Sequence, residues 1–387
     1  MVTKASHFTP WHSSDLQLSM VFTMALLRAF LRTARMERTT SRLAAGLPAD
    51  DEILLDAPDE RLGPALVAAG RGEYGPAAEL LATTREAAEW ESRDRYATGL
   101  ATFARSRDEW LRKWQAASPH DPDVLLVRAE LAVRRAWESP ARVELLRQIG
   151  PLITAAAEGD PRDPVPWRIA LDHARGTNVG HAEFEKLWGE AVRRSPHHYG
   201  CHVAALQYLS AACCDLPAAC CASCEDTPQT SRRSHRECFD FAERAAQDAL
   251  PGSLVQVLPV RAAFAYLTEG GGAAVPRERL DAAADLAIAV SATYRAVDPW
   301  PAEVRNLLAY VLIRLERWTE ALEQLRLIGP YATSFPWDRG SDDPLGRFLE
   351  LRDRVRLAAA SGLPPRPPGP DPRPESGRDG RAHSAGH

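Results

Sequence analysis

Ala65–Leu81 reads ALVAAGRGEYGPAAELL, and Ala309–Leu325 reads AYVLIRLERWTEALEQL. Setting Tyr74 on Trp318 also sets Ala77 on Ala321, Ala78 on Leu322 and Leu81 on Leu325. Each copy is an apolar helix, a polar break, an aromatic residue and a second helix that opens on small side chains. Self-similarity of this kind is the mark of a chain built from stacked α-hairpins. Val304, Leu307, Leu308, Val311, Leu312 and Leu315 fall at i, i+3, i+4, i+7, i+8 and i+11, which is one apolar stripe along a helix. Phe184, Leu187, Trp188, Ala191 and Val192 repeat the pattern in mid-chain, whereas alternation with period two is rare. The fold class is all-α.

Prolines punctuate the pattern. Pro119, Pro161, Pro196, Pro251, Pro299 and Pro301 each sit where one helix closes and another begins, because proline is tolerated in a helix's first turn and not in its interior. Their uneven spacing fits degenerate repeats carrying insertions better than a regular array.

The aromatic at Tyr74 or Trp318, the alanine three residues on, the Leu-rich helix and the boundary proline resemble tetratricopeptide repeats. The stretch from Pro164 to Ala249, with WRIALDHARG, FEKLWGEAVRRSPHHYGCHVAALQYL and SHRECFDFAERA, is similar to a bacterial family of uncharacterised proteins built on such repeats. The resemblance covers about residues 60–330. It implies a right-handed α-solenoid of six or seven irregular hairpins, placed at residues 55–360, and it implies no activity. Residues 1–54 read as a leader followed by an amphipathic helix, MVFTMALLRAFL from Met20 to Leu31, and Met20 is an alternative start to Met1. Residues 361–387 hold seven prolines and five glycines and read as a disordered tail, because such a composition buries too little apolar area to fold.

The chain has 387 residues, a net charge of -5 and a pI near 6.2, so there is no global basic field for nucleic acid. Lysine occurs only at Lys4, Lys113 and Lys186, and the dominance of arginine beside abundant Ala, Gly and Pro reads as GC-rich coding bias. No apolar run reaches the ~18 residues that a membrane span needs, and no secretory signal is evident, so the expected location is the cytoplasm.

Four local patterns bear on chemistry. Gly70, Gly72 and Gly75 spell the dinucleotide fingerprint, but an Ala-rich segment precedes them and Pro76 removes a backbone donor, so they read as a hairpin turn. Asp172 beside His173 is no dyad, since adjacent residues on a helix point about 100° apart, and His173 reads as exposed or capping. Trp110, Trp114, Trp188, Trp318 and Phe184 lie within apolar stripes and read as packing residues. The fourth pattern is Cys213, Cys214, Cys220, Cys221 and Cys224 in an insertion at about residues 211–234, with Cys201 and Cys238 flanking it. His198, His202, Cys221 and Cys224 are weak candidates for a tetrahedral zinc site, and the C-x-x-C at Cys221–Cys224 for a redox pair. The second C-x-x-C that would make zinc convincing is missing.

No nucleophile–base constellation emerges, and no catalytic residue or cofactor is assigned. The expected function is capture of a protein or peptide partner, as a helix or an extended segment, in a concave groove lined by the first helix of each hairpin. His198, Tyr199, His202 and Gln207 are the candidate groove residues. The alternative is a metal- or redox-responsive regulator built on the Cys/His cluster.

Overall fold

The computed structural model describes residues 46–214, 235–269 and 275–361. Its helices are α1 (Leu62–Gly70), α2 (Gly75–Glu86), α3 (Trp90–Ala104), α4 (Glu109–Ala117), α5 (Pro122–Trp137), α6 (Arg142–Gly159), α7 (Val165–Thr177) and α8 (His181–Arg194). They continue as α9 (Tyr199–Cys214), α10 (His235–Asp248), α11 (Leu258–Glu269), α12 (Arg277–Ser291), α13 (Ala302–Arg314), α14 (Trp318–Ile328), α15 (Ser334–Trp337) and α16 (Pro344–Ser361). The six boundary prolines all fall between helices. Pro151 is the exception that the punctuation rule did not anticipate, since it lies inside α6.

The two copies of the repeated phrase form the same local structure. α1 and α13 end in left-handed residues at equivalent positions, Gly72 (φ 80°) and Glu316 (φ 60°). In the first, Glu73 N–H reaches Ala68 O at 3.1 Å and Gly72 N–H reaches Ala69 O at 2.9 Å; in the second, Arg317 reaches Leu312 O at 2.9 Å and Glu316 reaches Ile313 O at 3.1 Å. This paired closure satisfies carbonyls that a helix end would otherwise leave unpartnered. The glycine fingerprint at Gly70–Gly75 is thus a helix stop and a turn into α2. α7 ends in the same way on Asn178 (φ 55°), a third copy that the sequence comparison missed.

Sequential helices pair into hairpins, as α5 does with α6, α7 with α8 and α13 with α14. The first helices also pack in series, α3 on α5, α5 on α7, α7 on α9, α9 on α11 and α11 on α13. Ala77 and Leu81 in α2 and their counterparts Ala321 and Leu325 in α14 are buried. The small residues let the two helices of a hairpin approach, and each buried leucine contributes about 1.5–3 kcal/mol of apolar transfer energy. Trp110, Trp114 and Phe184 are buried, and Trp188 and Trp318 are half-buried against the core.

The all-α reading has one small departure. Leu54–Leu55 pairs in parallel with Tyr331–Ala332, so the start of the described chain adds a short strand beside the segment after α14. Ile53 enters the apolar cluster of the C-terminal half, Asp56 accepts the Ser334 N–H at 2.7 Å, and Arg352 of α16 pairs with Asp50. Among the described residues no helix is long and apolar enough to cross a membrane. The Met20–Leu31 helix, most of the Cys-rich insertion and nearly all of the tail lie outside the described residues, although Cys213 and Cys214 close α9.

Candidate functional site

The first helices converge on a central cavity of 370 Å³, which side chains from α3, α5, α7, α9, α11 and α13 line together with Trp300, Phe335 and Arg339. Its wall is charged. On the α7 side Arg168 is almost wholly buried and donates to Glu130 of α5 at 2.6 Å, to Asp94 of α3 at 2.8 Å and to Asp172 at 3.0 Å. One guanidinium thereby pins three helices, its planar fork matching several carboxylates at once. Arg134 pairs with Glu130 from the next turn. Burial alone would raise the Glu130 carboxyl, but Arg168 and Arg134 hold it down at about 2.

A second buried cation stands behind this wall. Arg93 of α3 pairs with Asp123 of α5 at 2.7 Å and with Asp163 before α7 at 2.6 Å, and it donates to Leu81 O at 2.9 Å. Removing one partner of such a pair strands a buried charge, which is why these contacts fix how successive hairpins register.

On the opposite side Arg95 lies with its guanidinium 4.0 Å above the ring of Trp300 and donates to Trp300 O. Burial pushes its pKa down, with Asp59, Glu91 and Asp298 acting against that from a distance. Arg261 of α11 donates to Tyr199 Oη at 2.7 Å and pairs with Glu303 of α13. Glu91 accepts the Tyr199 N–H at 2.7 Å, and burial raises its carboxyl. A Cβ on Gly200 would run into the Asp94 carboxylate, so glycine there lets α9 and α3 close together.

The four residues expected in the groove divide. Tyr199 and Gln207 line the central cavity, as do Gly200, Val203 and Ala204 from the same face of α9. His198 is buried just before α9. Its Nδ1 accepts the Cys201 N–H at 3.1 Å and its Nε2 faces Trp90 O at 3.3 Å, with Glu91 and Asp94 each 3.9 Å away. It joins α9 to α3 from within. His202 is buried on another face of α9 and lines a different cavity. The zinc candidates His198 and His202 therefore turn apart, and Cys221 and Cys224 lie outside the described residues. Among the described residues no group of three or more His, Cys, Asp or Glu is arranged to hold a metal ion. His173, expected exposed or capping, is half-buried with Nε2 2.7 Å from Leu146 O, and Asp172 serves Arg168.

The arginine–carboxylate network was not foreseen. Asp94, Glu130 and Arg168 are too far apart in the chain to leave a local motif, and each read singly looks like a solvated helix charge. Compared with protein-family profiles, curated proteins and solved structures, the chain matches none.

Proposed function

We propose that this chain is a tetratricopeptide-like helical-repeat scaffold, a right-handed α-solenoid, that binds a protein or peptide partner, as a helix or an extended segment, in its central cavity. The observation that carries the reading is the convergence of six first helices on one cavity whose wall mixes fixed charges with Tyr199, Trp300 and Phe335. Such a surface offers aromatic contact area and polar groups that orient a backbone.

Site-specific photocrosslinking tests the reading. A benzophenone side chain at Gln207 is expected to form adducts that map to one short segment of a partner protein, and one at exposed Lys186 on α8 is not. Adducts of equal yield from both positions, or none from Gln207, overturn it.

A further inference from the structure

A second cavity, of 650 Å³, lies elsewhere, between α8 and α10, the second helices of successive hairpins. Its inner wall is aromatic. Trp188 stands edge-on to His202 with ring centroids 5.0 Å apart and to Phe241 at 5.6 Å, and His202 and Phe241 are 6.3 Å apart. Phe184 and Leu209 extend the apolar floor, while Glu185, Glu237 and Asp248 bring carboxylates to the rim beside Arg244 and His197, and Glu185 also faces His181 Nε2 at 3.1 Å. Arg244 is turned along its own helix, donating to Asp240 O at 3.0 Å.

His202 gives the cavity a direction. It is 5% exposed, and its Nδ1 lies 2.9 Å from His198 O. A carbonyl oxygen only accepts, so Nδ1 carries the proton. Burial lowers the pKa of the ring, which leaves Nε2 with a free lone pair at neutral pH. Among the described residues nothing donates to Nε2, and it is not one of the buried nitrogens sealed off inside the protein. An acceptor, two aromatic rings and a carboxylate rim thus meet in one hollow of the size that small ligands occupy.

We propose that this cavity binds a small protonated amine with an apolar body, its N–H donating to His202 Nε2 and its charge facing Trp188, Phe241 and the carboxylate rim. Cation–π attraction and the rim both select positive charge. An anion meets three carboxylates, and a hydrocarbon leaves the buried acceptor unpaired. The site is independent of the central cavity, because α9 presents Tyr199 and Gln207 on one face and His202 on another.

Titration calorimetry of the full chain with 2-phenylethylammonium, 2-phenylethanol and 3-phenylpropionate tests the assignment. Expected are saturable one-to-one binding of the amine, binding of the alcohol at least about tenfold weaker, or about 1.4 kcal/mol, and no heat from the carboxylate. His202→Phe keeps an aromatic ring and removes the acceptor, and it is expected to weaken the amine about tenfold. Should that variant fail to fold, Asp248→Asn, at an exposed position of the rim, is expected to weaken it about threefold with an unchanged melting curve. Equal affinity for amine and alcohol, wild-type affinity in both variants, or no saturation at millimolar amine overturns the proposal.

Discussion

Glu130 shows how much one side chain can hold in this chain. It lies in the interior of α5, where burial opposes its charge, and two arginines more than offset that cost. With a pKa near 4.5 when unfolded and about 2 when folded, it binds fewer protons in the native state. Its contribution is therefore complete above about pH 4.5 and is lost as pH falls towards 2. Glu130→Gln leaves Arg168 with Asp94 and Asp172, so the expected cost at pH 7 is near the lower end of the range for a broken buried pair, about 3 kcal/mol. Urea midpoints of the two proteins should converge between pH 4.5 and 2. A gap that stays constant across that window would mean that Glu130 acts by shape and not by charge. No sequence pattern announces this role, because a Glu four residues before an Arg also describes an ordinary solvated helix pair.

At the level of the element, the hairpins were readable because two signals coincide. Apolar residues recur at helical spacing, and an aromatic with an alanine three residues on opens the second helix, just after a left-handed residue has stopped the first. Gly72 supplies that conformation without a steric penalty, whereas Glu316 adopts it at a cost of roughly 1 kcal/mol. Opposite substitutions should then have opposite signs. Gly72→Ala is expected to lower stability by about 1–2 kcal/mol and Glu316→Gly to raise it by up to about 1 kcal/mol, read as shifts in thermal midpoint. Destabilisation by both would show that Glu316 is held by its side chain and not by its backbone. The third copy escaped notice because no aromatic follows its stop at Asn178 at the distance of Tyr74 and Trp318. The strand at Leu54–Leu55 escaped because two residues carry no period. Within the candidate site, the spacing of Tyr199, Val203 and Gln207 marks one face of α9. That His198 faces inward and His202 outward depends on neighbours, Trp90 and Trp188, that only folding brings near.

For the whole molecule, the decisive question is whether the two ends of the hairpin series are coupled. In an open array each hairpin touches only its neighbours, and a change at one end is not felt at the other. Here the strand at Leu54–Leu55 lies beside Tyr331–Ala332, and Arg95 of α3 reaches across the central cavity to Trp300, 205 residues away in the chain. Both residues are half-buried, burial lowers the pKa of Arg95, and a cation over a partly sheltered indole face contributes about 1 kcal/mol. A double-mutant cycle isolates it. Arg95→Ala and Trp300→Ala are expected to destabilise singly and to show a coupling energy of about 1 kcal/mol, because each removes the partner of the other. Coupling below about 0.3 kcal/mol, the range expected of independent sites, would show that Arg95 and Trp300 do not hold together in solution. The central cavity would then be a wider groove, without these two residues as a joint wall. Coupling at the expected level makes closure part of the binding site, since Trp300 and Arg95 form its wall only while the two ends meet.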